Sequence, residues 1–309
     1  MPSNLYAVIL AGGRSRRIKS RVPKVFHRVS GRMMIEWVIE STMDLGPRKV
    51  VVVGNSSNHT LLREIASRYP NVSVIVQEVP RGTGDAVRYA EGEVPEDSLL
   101  YVGSGDAPLI RGSTLKEMYR KITSTGADAV ILTAEVPDPS GYGRVIREGD
   151  RFVRIVEDRD ATEEERRIRE VNAGFYMFRA GPLFEALRGL SPDNAQGEYY
   201  LTDVFNFMDK VVVHRTEEYE EILGVNTRRQ LAKVEEIMQR RIRGRWMDEG
   251  VTFVLPETVY VEYSVRIGRD TVIYPNVALL GNTEIGEECV IGPGRVLRDE
   301  KVPDGTVLL

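Results

Sequence analysis

Leu5 to Lys24 reads LYAVILAGGRSRRIKSRVPK, and the rest of the chain makes sense as a scaffold around it. Leu5 to Ile9 is a continuous apolar run, the composition of a strand buried on both faces of a parallel sheet. Gly12 and Gly13 allow a sharp turn and let backbone N–H groups approach a ligand with no Cβ in the way. Successive N–H groups of that kind form an anion-binding nest. Arg14, Arg16, Arg17, Lys19, Arg21 and Lys24 then place six cations within eleven residues, with no acid between them. A glycine turn, backbone donors and a block of positive charge fit a triphosphate site. The stretch is neither a Walker loop nor a Rossmann fingerprint, because GxxxxGK[ST] and GxGxxG are both absent. On charge alone it is equally a surface turn followed by a solvated basic helix.

Composition narrows the class. A length of 309 residues suits one large domain or two smaller ones. With 42% apolar and 28% charged residues the chain has an ordinary soluble globular composition. A net charge of −4 argues against a nucleic-acid binder and makes the basic block a local feature. One cysteine, Cys289, excludes an internal disulfide framework and suits a reducing, cytoplasmic setting. No apolar run approaches the ~20 residues of a membrane helix, and the N-terminus enters a strand with no room for a signal peptide.

From residue 1 to about 225, β-rich runs alternate with amphipathic stretches. Lys49–Gly54, Val72–Gln77, Ser98–Val102 and Ala129–Thr133 read as strands; Ile35–Met43 and Leu61–Tyr69 read as helices. The alternation predicts an α/β domain of βαβ units with a Rossmann-like, mostly parallel sheet. Ligands of such sheets bind at the carboxyl ends of the strands, and the distinctive residues follow the strands here. Gly82-Thr83-Gly84-Asp85-Ala86 comes after the strand that ends in Gln77; alone it is equally a helix start capped by Thr83. Ser104-Gly105-Asp106 follows the next strand, where a carboxylate beside a phosphate loop can hold Mg²⁺ or close an Asx turn. Gly141-Tyr142-Gly143-Arg144 opens a hairpin, followed by Glu157 and by Asn172-Ala173-Gly174. A glycine that admits backbone contact, a carboxylate and an amide suit sugar hydroxyls and an acetamido group. Asn194 to Asp203 reads NAQGEYYLTD, and Gly224-Val225-Asn226 follows.

Past these motifs the periodicity changes. Thr227 to Met247 reads as one linker helix with Leu231, Val234, Ile237 and Met238 on an apolar stripe. Val261, Ile267, Ile273, Leu279, Ile285, Ile291 and Leu297 are then spaced six apart without a miss. Val265, Thr271, Val277, Thr283 and Cys289 occupy positions four residues further on, and Gly268, Gly286 and Gly292 directly follow their aliphatic residues. This is the hexapeptide signature of a short left-handed parallel β-helix. At three hexapeptides per coil it amounts to little more than two coils. The expected division is an α/β domain over 1–226, a linker helix over 227–250 and the β-helix over 251–309.

The ordered motifs resemble those of the sugar nucleotidyltransferases, and NAQGEYYLTD in particular is similar to the bacterial N-acetylglucosamine-1-phosphate uridyltransferases. The resemblance spans nearly the whole chain. It implies that the loop of Leu10, Ala11, Gly12 and Gly13 wraps the triphosphate, that Arg17 and Lys24 contact its phosphates, and that Gln77, Gly82 and Thr83 read the uracil edge beside Ser104. It further implies a sugar site of Gly143, Glu157, Asn172, Tyr200 and Thr202, and Mg²⁺ held by Asp106 and Asn226. Two positions depart from the family pattern: Asp85 stands where many members have histidine, and Ser104 where the acetylglucosamine branch commonly has tyrosine. The implied reaction joins UTP and N-acetylglucosamine 1-phosphate into UDP-N-acetylglucosamine and pyrophosphate. Family members usually trimerise through the β-helix and carry a histidine-dependent acetyltransferase further along it. The histidines here are His27, His59 and His214, so none falls in the β-helix, and acetyl transfer is expected to be absent. Transfer onto another sugar phosphate, such as glucose 1-phosphate, is the nearest alternative; a non-catalytic nucleotide-sugar-sensing subunit would be expected to have lost the loop or the metal ligands.

Overall fold

A computed structural model of the chain describes residues 4–13 and 17–309; Arg14 and Arg16 of the basic block lie outside the described residues. The chain divides into two compact units, one of Met1–Val25 with Ile35–Gly224, the other of Phe26–Met34 with Val225–Leu309.

In chain order the strands before the long helix are β1 (Leu5–Leu10), β2 (Arg28–Val29), β3 (Arg32–Met33), β4 (Lys49–Asn55), β5 (Val72–Gln77), β6 (Leu99–Ser104), β7 (Ala129–Glu135), β8 (Arg144–Glu148), β9 (Arg151–Val156), β10 (Glu170–Arg179) and β11 (Val211–Thr216). Helices α1 (Met34–Met43), α2 (His59–Ala66), α3 (Thr83–Arg88), α4 (Gly112–Thr125), α5 (Glu163–Arg166) and α6 (Ala180–Arg188) lie between them. The first unit is built on a sheet of order β11-β7-β10-β6-β1-β4-β5, with the β8–β9 hairpin attached to β10. β1 runs parallel to both β4 and β6, and β4 parallel to β5. β10 is antiparallel to β6 and β7, so the sheet is parallel on the side of β1 and mixed beyond it. From β1 the chain moves to β4 and β5 on one side and later returns to β6 on the other. That reversal makes the carboxyl ends of β1 and β6 a topological switch point, the place where open α/β sheets bind ligands.

The apolar run of β1 is buried on both faces, as its composition demands: Leu5, Ala7, Val8 and Ile9 are fully buried. A second packing device positions the segment after Tyr200. Phe205 lies 5.7 Å from Phe152 of β9, edge to face, and 5.8 Å from Phe178 of β10, stacked. Such pairs are worth about 0.5–1.5 kcal/mol each beyond area burial, and here they hold Leu201–Phe207 against the sheet.

In the second unit, α7 (Arg228–Asp248) starts from a capping box: Thr227 Oγ1 accepts from Gln230 N, and Gln230 Oε1 accepts from Thr227 N. The β2–β3 hairpin docks on this helix. Ser30 donates its N–H and its hydroxyl to Glu235, and Gln239 reaches Ser30 Oγ at 2.9 Å and both backbone groups of Val261 at 2.8 and 2.9 Å.

The left-handed β-helix follows as β12 (Thr252–Phe253), β13 (Tyr260–Val261), β14 (Arg266–Ile267), β15 (Val272–Ile273), β16 (Ala278–Leu280), β17 (Glu284–Ile285), β18 (Val290–Ile291), β19 (Val296–Arg298), β20 (Lys301–Val302) and β21 (Val307–Leu308). They stack as three parallel ladders, β12-β15-β18-β21, β13-β16-β19 and β14-β17-β20. All seven aliphatic residues of the six-residue series are buried inside. The ladders make three coils and open a fourth, more than the strict series revealed. Two off-period steps hid the rest: Phe253 to Val261 spans eight residues and Leu297 to Val302 spans five. Corners turn through left-handed residues, among them Asp270 and Asn276, both at φ 60°, which these short polar side chains tolerate better than most.

Candidate active site

The loop after β1 is held from the neighbouring strand. Ala11 N donates to Val53 O at 2.8 Å, Asn58 Nδ2 donates to Ala11 O at 2.8 Å and Asn55 Nδ2 to Gly12 O at 2.8 Å. Asn55 ends β4, Asn58 directly precedes α2, and both are buried. Sequence reasoning missed them; their signal was GNSSN after an apolar strand, two amides three apart where α2 begins. A Cβ on Gly12 would stand 3.4 Å from Gly54 O and 3.5 Å from Gln77 Oε1, whereas one on Gly13 would meet nothing within 4 Å. The loop after β6 abuts this one, with Gly105 N donating to Leu10 O at 2.9 Å.

Beyond the loop, Arg17 is exposed in a turn. Lys24 forms an ion pair with Asp106, whose other oxygen accepts from Ser104 Oγ at 2.7 Å. The two paired side chains keep only 14% and 15% of their surface exposed. The structure therefore brings Lys24, Ser104 and Asp106 together, 82 residues apart in sequence for the ion pair. Tyr142, hydrogen-bonded to the Gly224 backbone, lies near enough to feel Asp106: burial pushes its phenol up and the carboxylate charge adds to the rise. Sequence reasoning gave Tyr142 no role of its own.

Gln77 closes β5 with only 3% of its surface exposed. Its Nε2 donates to Asp85 Oδ2 at 2.7 Å and points toward Gly82 O at 3.4 Å. Gly82 sits at φ 119°, and a Cβ there would fall 2.5 Å from Tyr199 O and 2.7 Å from Tyr199 N. Thr83 does not cap α3, which Gly82 precedes without a side-chain cap. Its hydroxyl accepts instead from Leu201 N at 3.0 Å, 118 residues away. Tyr199 N donates to Arg81 O and Gly84 N to Tyr199 O, both at 2.8 Å. The turn of residues 81–84 and the EYYLTD segment are thus one hydrogen-bonded piece.

The sugar-motif residues also converge. A Cβ on Gly143 would stand 3.6 Å from both Asn172 Cβ and Glu157 Oε1, and 2.9 Å from Ile155 Cγ2. Thr202 Oγ1 donates to Glu157 Oε1 at 3.1 Å. Asn172 donates its N–H to Gly143 O at 2.8 Å and its Nδ2 to Tyr176 at 2.7 Å. A register shift between Asn172 and Tyr176 breaks the β10–β7 ladder there, the kind of bulge that re-aims a side chain beside a site. Tyr200 is buried and its hydroxyl accepts from Gln196 Nε2 at 2.8 Å. Arg144, fully buried, ties the hairpin down through the Tyr142 carbonyl and Asp158. Burial pushes the Glu157 carboxyl up; the Thr202 hydroxyl pulls it back, and Asp203, Asp160 and Asp158 raise it again.

Asn226 belongs to the second unit, where its N–H donates to Gln230 Oε1 at 2.8 Å. Among the described residues no three His, Cys, Asp or Glu side chains cluster as a metal cage. Asp106 is instead a single hard carboxylate paired with Lys24, and one such carboxylate suits Mg²⁺, which takes one or two carboxylates plus substrate phosphates.

Residues 7–199 match the family model described as MobA-like NTP transferase domain, and residues 264–297 match that of the bacterial transferase hexapeptide. "Bifunctional protein GlmU" of Halalkalibacterium halodurans is 42% identical over 312 residues, covering 99% of this chain and 68% of that protein. The GlmU of Caldanaerobacter subterraneus subsp. tengcongensis is 42% identical over 97% of this chain and 66% of its own length, and that of Thermotoga maritima 45% over 93% and 63%. The chain spans about two thirds of the length of the curated relatives it matches. A Bacillus anthracis structure, provisionally assigned as a glucose-1-phosphate thymidylyltransferase and bound to sucrose, superposes with a TM-score of 0.63 at 18% identity, covering 75% of this chain and 94% of that one. That last likeness concerns the fold alone. On the matched domain model and the identity to these relatives, the chain belongs to the GlmU family of MobA-like NTP transferases with hexapeptide repeats.

Proposed function

We propose that the first unit transfers UMP from UTP to N-acetylglucosamine 1-phosphate, releasing pyrophosphate. The observation that carries it is the zipper between residues 81–84 and 199–201, which joins the base-reading turn to the segment whose Thr202 meets Glu157. One substrate's recognition elements are thereby built onto the other's. The sugar phosphate is already a good nucleophile, so its oxygen attacks the α-phosphorus in line and pyrophosphate leaves opposite, with catalysis resting on positioning and charge neutralisation. Leu10, Ala11, Gly12 and Gly13 approach the triphosphate; Arg17 and Lys24 neutralise its departing phosphates. Gln77, Gly82 and Thr83 face the base. Gly143, Glu157, Asn172, Tyr200 and Thr202 hold the sugar, with the Glu157 carboxylate accepting from hydroxyls.

Asp106 would hold Mg²⁺, with Asn226 as the second ligand that the sequence motif implies. When bound, the cation would supply positive charge that offsets the charge of the substrate phosphates. Lys24 must then exchange its Asp106 partner for phosphate, which its flexible stem permits. The proposal is confined to uridylyl transfer in a cytoplasmic setting; no acetyl transfer is assigned to these residues. On the β-helix, exposed Val254, Leu255, Tyr274 and Val296 support assembly of a homotrimer, which sedimentation of the full chain would check.

The deciding experiment measures pyrophosphate release with Mg²⁺ and UTP across N-acetylglucosamine, glucose, galactosamine and glucosamine 1-phosphates. Strong preference for the first supports the reading. Preference for another sugar would keep the mechanism and overturn the sugar pocket; no release with any would leave a binding protein.

A further inference from the structure

Asp85 is the residue of the 82–86 turn that the proposed function leaves without work. It stands in the first turn of α3, and its carboxylate takes a hydrogen bond from Gln77 Nε2 at 2.7 Å. The same nitrogen is directed at Gly82 O at 3.4 Å. An amide nitrogen carries two hydrogens and its oxygen two lone pairs, so both donors of Gln77 face acceptors of the protein. Oε1 lies on the other side, 3.5 Å from where a Cβ on Gly12 would stand, toward the loop after β1. At 3% exposure the amide has almost no water to choose instead.

A glutamine alone presents either end of its amide, because the two differ by a half-turn of the terminal torsion. A carboxylate beside it removes that freedom. It accepts and does not donate, so the flipped amide would set two acceptors face to face in a buried place. We propose that Asp85 is a positioning residue that locks the Gln77 amide with its oxygen toward the nucleotide loop, and so selects a base with a ring N–H donor at the contacted edge. Uracil and thymine offer N3–H there; cytosine offers a lone pair at N3 and meets Oε1 with repulsion. This rests on the proposed function, in that Gln77 faces the base of the nucleotide.

The test compares the full-length protein with Asp85→Leu and Asp85→Asn. Pyrophosphate release is measured with UTP and with CTP at saturating N-acetylglucosamine 1-phosphate, and the affinity for each nucleotide is measured by calorimetry. For Asp85→Leu the expected result is a fall in the UTP-over-CTP preference of about 10-fold or more. That fall should appear in the nucleotide KM and affinity rather than in kcat. Asn keeps one acceptor but adds a donor that tolerates the flipped amide, so Asp85→Asn is expected to fall between. A folded Asp85→Leu protein whose preference stays within twofold of the parent overturns the proposal. Should Asp85→Leu fail to fold, an unchanged preference in Asp85→Asn overturns it equally. If the parent releases no pyrophosphate with any sugar phosphate, the functional reading falls on its own, and calorimetry still decides: UTP preferred by the parent and not by the variants supports the lock. A parent that binds both nucleotides alike, or neither, refutes it.

Discussion

Gly82→Ala tests whether the 81–84 turn and the EYYLTD segment act as one piece. Gly82 lies at φ 119° and ψ 174°, a region that is essentially closed to residues with a Cβ and costs about 1–3 kcal/mol when forced. The added Cβ would also meet Tyr199 O at 2.5 Å and Tyr199 N at 2.7 Å. Those are backbone atoms with no rotamer to escape into, and overpacking of this kind costs about 1–3 kcal/mol. Together the two effects come to about 2–6 kcal/mol. At about 2–4 °C per kcal/mol for a domain of this size, melting falls by roughly 4–24 °C. If the chain relaxes instead, Tyr199 must move away, both hydrogen bonds to it weaken, and Tyr200 and Thr202 move with it. The sugar-phosphate KM then rises even though Gly82 sits in the base turn. Gly92→Ala is the control, since Gly92 is exposed, belongs to neither proposed binding site, and a Cβ there meets nothing within 4 Å. Thermal melting and steady-state KM for both substrates are the readouts. A Gly82→Ala protein that melts with the parent and keeps both KM values would refute the zipper.

Three further outcomes follow from the same structure. Asp106→Asn is expected to lower Mg²⁺-dependent turnover by ~10²–10³, and near-normal turnover would remove Asp106 from the metal site. Glu157→Gln is expected to raise the sugar-phosphate KM and spare that of UTP. Because burial raises the folded-state pKa of Glu157, its ionised form is disfavoured by folding at neutral pH. The Gln variant should therefore melt no lower than the parent at pH 8, with any advantage fading as pH falls toward the ordinary carboxylate range and gone below it. By the same sign, the parent's sugar-phosphate KM rises on acidification at a higher pH than an ordinary glutamate would give, and a flat profile down to pH 5 would contradict it. Gln239→Ala leaves both backbone groups of Val261 unpartnered at about 1–3 kcal/mol each. Chemical unfolding should report a loss of about 2–6 kcal/mol, and a loss under 1 kcal/mol would mean that water replaces the amide.

The β-helix and the parallel side of the sheet were legible in the chain because both follow from short-range periodicity. Each hexapeptide aliphatic is buried by the residue above and below it in the coil, so a six-residue spacing carries the fold without long-range information. The apolar run Leu5–Ile9 likewise announces a strand covered on both faces, and glycine turns after strands announce where ligand loops lie. The coil count fell short because Phe253 and Val302 sit eight and five residues from their neighbours in the series, and a periodic template does not register steps of other lengths.

Only the tertiary structure decided what the motif residues touch. Thr83 reads locally as a helix cap, yet its hydroxyl meets Leu201, 118 residues away. Asn55 and Asn58 were given no role by the sequence, yet they hold the carbonyls of Gly12 and Ala11. Gln77 and Asp85 are eight residues apart and separated by a turn, so their pairing depends on how α3 sits against the end of β5. The β2–β3 hairpin lies early in the chain, yet it folds with α7 and the β-helix through Glu235 and Gln239, more than 200 residues later. A hydrogen bond is directional and fades within an ångström of its optimum. Which donors and acceptors meet is therefore set by the packed positions of whole elements, and local sequence carries no record of those.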